Sequence, residues 1–219
     1  GGTTYIAEVS EDETTILYSK HFTNTNTLYY AKVGDEEILL TPPTDQEHTV
    51  SFAVLVSPTE VYLVTDYEAD FSYLAKFDLE TKTFTKVKEV SKEGFTTLTY
   101  DKENQILYIV AEKGVEDRLY AYYLENGTWE RIEIPCDLIG KLVVAKSGSL
   151  YLLGRGSTKL GNIYKREQGE WVQLTRNKMA GVAEEDFIAP KVVTYPSFDG
   201  LEIEALFYQP KEEHDKGEI

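Results

Sequence analysis

The chain repeats itself. One tyrosine series, Tyr18, Tyr62, Tyr108 and Tyr151, is spaced 44, 46 and 43 residues apart. A second, Tyr29, Tyr73, Tyr120 and Tyr164, is spaced 44, 47 and 44. Leu40, Val87, Ile132 and Leu174 follow at 47, 45 and 42, and Val9, Val56, Tyr100 and Ala145 at 47, 44 and 45. Four independent series keeping one period mean four copies of one structural unit, and a unit of this size is a supersecondary element that needs its neighbours to bury it.

The unit is made of strands. The chain has 16 tyrosines and 9 phenylalanines. Runs such as Tyr5-Ile6-Ala7-Glu8-Val9, Val61-Tyr62-Leu63-Val64 and Ile106-Leu107-Tyr108-Ile109-Val110 suit a pleated, half-buried surface. No stretch holds apolar residues at helical spacing over three turns, and the best helical candidate, 177–186, is short. Each unit reads as four antiparallel strands; in the third they are 96–100, 106–111, 118–123 and 128–134. The last two strands of each unit are joined at Gly34-Asp35, Glu80-Thr81, Asn126-Gly127 and Gln168-Gly169. Asn126-Gly127 has the composition of a two-residue type I′ turn, where both residues need positive φ. Longer loops are expected between the middle strands, at 21–26, 66–71, 112–117 and 154–161. Tandem four-stranded units of this length are the blades of a β-propeller. The expected fold is all-β, with four four-stranded antiparallel blades at 3–46, 47–91, 92–136 and 137–176. A connector, 177–190, and a β-hairpin follow. The paired tyrosines are expected to pack their rings between blades and extend their hydroxyls to the wet rim.

Charge narrows function. With 22 basic and 38 acidic residues the chain carries −16, which excludes a nucleic-acid backbone partner and disfavours an anionic membrane. The sequence holds no run long and apolar enough for a membrane helix and no basic–apolar leader, so no membrane partner is expected. One cysteine, Cys136, makes no internal disulfide, and a cytoplasmic location is the expectation.

The last segment resembles a known junction. Ser197-Phe198-Asp199-Gly200-Leu201-Glu202-Ile203 followed by Tyr208-Gln209-Pro210-Lys211, preceded by Gln173-Leu174-Thr175 and Val192-Val193, is similar to the entry into the α/β-hydrolase domain of prolyl oligopeptidase-family serine peptidases. In that family a β-propeller precedes the catalytic domain and admits only short peptides to it. The resemblance implies that 191–219 is the first hairpin of a truncated hydrolase domain, with its turn at Phe198-Asp199-Gly200 and with Leu201, Ile203, Ala205 and Phe207 on one face. The partners it implies are the absent α/β-hydrolase domain and, in the whole protein, short peptides. The chain departs from the family in having four blades where members have more, and in lacking a Gly-x-Ser-x-Gly nucleophile elbow. It is therefore expected to be a non-catalytic propeller fragment of a serine peptidase, inactive alone. The alternative is a stand-alone propeller serving as an interaction platform. Four blades shaped for a larger ring would leave apolar outer faces, which two copies could cover by forming a homodimer; the equal alternative is a self-closed four-bladed ring.

No residue is assigned a catalytic, cofactor-binding or metal-binding role. His21 reads as a loop residue, His48 as a linker residue and His214 as part of a frayed tail, none placed beside a serine. Cys136 follows Pro135 at a blade edge and reads as inert. Asp66, Glu68 and Asp70 alternate in a loop without the glycine and distal glutamate of a calcium loop. Gly154-Arg155-Gly156-Ser157 lacks the third glycine and strand–helix setting of a dinucleotide site. Asn126-Gly127-Thr128 matches a glycosylation sequon but sits in a tight turn. Glu184-Glu185-Asp186 invites comparison with the paired glutamates that hold a substrate amine in dipeptidyl peptidases; those lie in the propeller, so the role is not carried over.

Overall fold

The computed structural model describes residues 2–210. It contains eighteen strands among the described residues, and its helical content there is a single 3-10 turn, Glu184–Asp186. Sixteen strands form four four-stranded antiparallel sheets, each in sequence order: β1–β4, β5–β8, β9–β12 and β13–β16. They run β1 Thr3–Val9, β2 Thr15–Thr23, β3 Asn26–Val33, β4 Glu36–Leu39; β5 Val50–Leu55, β6 Glu60–Thr65, β7 Tyr73–Asp78, β8 Thr83–Lys88; β9 Gly94–Asp101, β10 Ile106–Lys113, β11 Glu116–Tyr123, β12 Thr128–Ile132; β13 Leu138–Val144, β14 Leu150–Arg155, β15 Asn162–Glu167, β16 Glu170–Gln173. A separate two-stranded sheet pairs β17 Lys191–Pro196 with β18 Glu202–Phe207.

The repeat recurs in the backbone. In every sheet the first strand carries one unpaired residue where the register slips: Ala7, Ser51, Thr96 and Gly140. They lie 44, 45 and 44 residues apart. A bulge sharpens the local twist of its strand, so the same twist is imposed at the same place in each unit.

The chain divides into two compact units, 1–112 with 119–132, and 113–118 with 133–219. In the first, sheets stack face to face. Leu17, Ala31 and Ile38 of the first sheet, with Leu40 just after it, cluster with Val61, Leu63, Ala75 and Phe77 of the second. The other face of the second sheet, Tyr62, Val64 and Leu74, clusters with Phe95, Leu98, Leu107, Ile109 and Tyr120 of the third. Sandwiching explains why β6 reads Val-Tyr-Leu-Val rather than alternating with polar residues: both faces are buried. Truncating Leu63 or Leu107, each fully buried, would cost ~2–5 kcal/mol.

Six of the eight repeated tyrosines are core residues; Tyr29 and Tyr151 are half-buried. Tyr18, Tyr62, Tyr108, Tyr73, Tyr120 and Tyr164 are buried. Their hydroxyls find protein partners where a wet rim was expected: Tyr73 donates to the Tyr67 carbonyl at 2.8 Å and Tyr120 to the Glu93 carboxylate at 2.6 Å. Burial holds the Tyr73 hydroxyl up at about 12, helped by the nearby Glu68 charge.

Several local expectations are corrected. Two of the middle loops are tight: β2 and β3 are separated only by Asn24-Thr25, and β10 and β11 only by Gly114-Val115. Asn126-Gly127 is not a two-residue turn. Tyr123 pairs with Thr128, leaving a four-residue loop in which Gly127 alone has positive φ, 70°. Register, rather than the Asn-Gly pair, fixes that loop length. The second sheet has the same loop, with Lys82 at φ 57° in the glycine's place. The two-residue turn with both residues at positive φ is Gln168-Gly169, at 51° and 87°.

In the hairpin, Ser197 N donates to the Leu201 carbonyl at 2.7 Å, closing the expected turn at Phe198-Asp199-Gly200. Val192, Tyr195, Leu201, Leu206 and Phe207 are all exposed, while Ile203 and Ala205 are half-buried.

Candidate functional site

The fourth sheet and the connector after it hold the features that point outward. Cross-strand pairing places Val143, Tyr151, Lys165 and Val172 in one row, and Lys141, Leu153 and Ile163 in the next. Leu174 N bonds the Ile163 carbonyl at 2.7 Å and continues that row. On this face Val143, Leu153, Ile163, Val172 and Leu174 are each 40–51% exposed, whereas Leu142, Leu152 and Tyr164 on the opposite face are buried. Five aliphatic side chains open to solvent on one sheet face form a patch that soluble surfaces rarely leave uncovered.

Beside it lies a cavity of about 500 Å³, lined by Thr158, Lys159 and Leu160 on one side and by Gln173 and the 176–187 connector on the other. One side chain fixes both walls. Asn162 is buried. Its Oδ1 accepts from Thr175 Oγ1 at 3.0 Å and from Asn177 N at 2.8 Å, and its Nδ2 donates to the Leu160 carbonyl at 3.1 Å. Asn177 answers by donating its Nδ2 to the Gly161 carbonyl at 2.5 Å. The connector then turns at Met179–Val182, with Gly181 at φ 77°. The Asp186 carboxylate accepts from Ala183 N at 2.8 Å. Glu185 lines the cavity.

The histidines stand elsewhere. His21 is in β2, not in a loop, and its Nε2 lies 3.0 Å from Ser19 Oγ. This is a serine–histidine contact that sequence reading missed; residues two apart in a strand share a face. It lacks the marks of a catalytic pair, because Ser19 is only 2% exposed and Nδ1 faces Thr27 Oγ1 at 3.5 Å where an orienting carboxylate would belong. His48 is no solvated linker residue but is buried. It bonds Thr41 Oγ1 through Nε2 at 2.9 Å and the Gln46 carbonyl through Nδ1 at 3.2 Å, with its ring edge-on to Tyr67. His214 lies outside the described residues.

Cys136 is half-buried; desolvation, then the Asp137 and Asp117 charges, push its thiol up to about 11, which leaves little thiolate at neutral pH. The Gly154-Arg155-Gly156-Ser157 loop folds around the Asp137 carboxylate: Ser157 N donates to it at 3.1 Å, and a Cβ on Gly156 would sit 2.7 Å from it. The protein's own anion fills the place a phosphate would take. Asp66 accepts from Thr49 N at 2.6 Å, and Glu68 accepts from the Tyr67 hydroxyl at 3.2 Å. Among the described residues no three His, Cys, Asp or Glu side chains are grouped to hold a metal ion. Asn126 turns its Oδ1 to Thr128 N at 2.9 Å. No helix among the described residues is long and apolar enough to cross a membrane, which says nothing of a β-barrel.

No family model and no curated protein sequence matches the chain. Solved structures do. A puromycin-hydrolyzing peptidase of Mycobacterium tuberculosis superposes on the whole chain with a TM-score of 0.78 at 13% identity, over 36% of its own length. A puromycin hydrolase covers 94% of the chain with a TM-score of 0.76 at 15% identity, over 34% of its length. Prolyl oligopeptidase B of Galerina marginata covers 92% with a TM-score of 0.68 at 17% identity, over 30% of its length. The fold is that of the β-propeller in these peptidases. The chain spans about a third of the length of the structures it matches, and at this identity the likeness is one of fold.

Proposed function

We propose that this chain is the propeller part of a prolyl oligopeptidase-type serine peptidase, non-catalytic in itself, which gates the access of short peptides to an α/β-hydrolase domain carried outside these residues. The observation that carries the reading is the order of its parts. Four repeated sheets lead through a pinned connector into a separate hairpin, and peptidases of this kind superpose on that whole arrangement. The Asp-Gly turn of the hairpin supports it, since a propeller that served only as a platform has no use for a further sheet after its last blade. The described residues also offer no accessible serine with an oriented base. In this reading 177–190 is the inter-domain connector and 191–219 the start of the hydrolase domain.

The test uses the polypeptide in its source. An antibody raised against the 219-residue chain should capture a species that reacts with a serine-directed fluorophosphonate. Capture of an endogenous polypeptide that carries the chain and takes up no probe would overturn the proposal.

A second reading, an interaction platform, is favoured by the open apolar face of β13–β16. That face also suits the first reading, because the sheets of the first unit pack face to face in the same way, and another blade could cover it.

A further inference from the structure

Charge is unevenly divided along this acidic chain. Residues 138–187, which build the fourth sheet and the cavity's walls, contain eight Lys or Arg against five Asp or Glu, a local charge of +3 in a chain of −16. Three of those cations, Lys159, Arg176 and Lys178, line the cavity, against one carboxylate, Glu185. None of the three forms an ion pair with a described residue. Like charges gathered around one concavity repel. An acidic protein had many carboxylates with which to neutralise them.

The walls are preorganised. Arg176 and Lys178 flank Asn177, which is held on both its backbone and its side chain. Lys159 precedes Leu160 and Gly161, whose carbonyls accept from Asn162 and Asn177. The backbone that carries the cations on the two sides is therefore held through one buried amide, which leaves less chain to order when a ligand binds. The rest of the lining includes Leu160, Val182 and Phe187. A volume of about 500 Å³ is in the range of small-molecule sites, which combine apolar walls with a few placed polar groups.

We propose that this cavity binds a small monocarboxylate with an apolar body, such as the C-terminal end of a short acylated peptide. Lys159, Arg176 and Lys178 hold the carboxylate, and Leu160, Val182 and Phe187 cover the body. Glu185 leaves the site a net charge of +2, which suits one carboxylate and gives no room to a second negative group beside it. The inference stands on residues of this chain alone and does not depend on the peptidase reading.

The probe is N-acetyl-leucine, with N-acetyl-leucinamide as its uncharged counterpart. Each is titrated to ~50 mM, a concentration that reaches weak millimolar sites, into the isotope-labelled 219-residue chain and followed by amide NMR. The carboxylate should give saturable shifts confined to 158–161 and 176–187. The amide should not, and Arg176→Gln with Lys178→Gln should weaken binding by about 10-fold or more. Absence of saturation, equal shifts from the amide, or unchanged affinity in the double variant would overturn the proposal. Both cations are exposed, so the variant's unshifted β13–β16 amides report that the fold is intact, and the acid-against-amide comparison in the unaltered chain stands without it.

Discussion

Asn162 and Asn177 pin one corner from both sides: the Asn162 side-chain Oδ1 accepts from Asn177 N at 2.8 Å, and the Asn177 side-chain Nδ2 donates back to the Gly161 carbonyl at 2.5 Å. Fifteen residues of sequence are closed into a rigid corner from which the connector departs. Asn162→Ala removes the acceptor of the Asn177 N–H and the Thr175 hydroxyl, two part-buried bonds worth ~0.5–1.5 kcal/mol each. Amide exchange at Asn177 should accelerate at least about 10-fold, as expected when ~1.4 kcal/mol of protection is lost, while exchange at Leu107 and Ile109 follows only the global loss. Unchanged exchange at Asn177 would show that the corner is held by other contacts.

The Gln168-Gly169 turn is suboptimal by composition. Gln168 sits at φ 51°, a region that disfavours most side chains and tolerates asparagine. Gln168→Asn should raise stability by about 0.5 kcal/mol, since Asn-Gly is the favoured pair for a two-residue type I′ hairpin. A urea melt reads the gain; a loss of similar size would contradict the turn's geometry.

Glu8 Oε2 accepts from Leu55 N at 2.9 Å. Burial raises its carboxyl above the usual range, against the lowering effects of that bond and of Lys102. A carboxyl raised in the folded state favours folding most when protonated, and that contribution is lost as the pH rises through the folded value. Glu8→Gln keeps an acceptor for Leu55 without the desolvated charge. It should be more stable than the unaltered chain at pH 7, with the difference closing in acid below about pH 4, where both forms are neutral. Equal stability across that range would contradict the burial of the charge.

How much of this was legible in the sequence differs by level. The period was legible at anchors such as Tyr73, Tyr120 and Leu40, which fill a packed core, while Val9 and Leu174 keep the spacing although they are exposed. Turn types were not, because the Tyr123–Thr128 register, a long-range property, decides what Asn126-Gly127 becomes. The bulges at Ala7, Ser51, Thr96 and Gly140 share no residue type, being backbone features that the strand pattern does not encode. His48 read as a linker residue because its partners, Thr41 and the Gln46 carbonyl, are common in exposed loops as well. The basic cavity escaped a whole-chain charge of −16; counting charge segment by segment would have exposed it.

We propose that the isolated chain pairs through its open sheet faces, extending the face-to-face packing of its first unit. Each copy brings −16 charges, so low salt should weaken the pair and high salt should favour it. Light scattering should report a monomer–dimer equilibrium. Leu153→Lys combined with Ile163→Lys, both on the exposed face, should keep the chain folded and monomeric. A strict monomer at high concentration and high salt would rule the pairing out.

The claim that this chain lacks its own catalytic apparatus is tested most directly by a stoichiometric labelling measurement. The purified 219-residue chain is treated with a serine-directed fluorophosphonate and its mass is recorded. Ser19, beside His21, is the serine to watch. The predicted result is no mass addition and no hydrolysis of peptide or ester substrates. One equivalent of label on the folded chain, lost on heating before treatment, would contradict it.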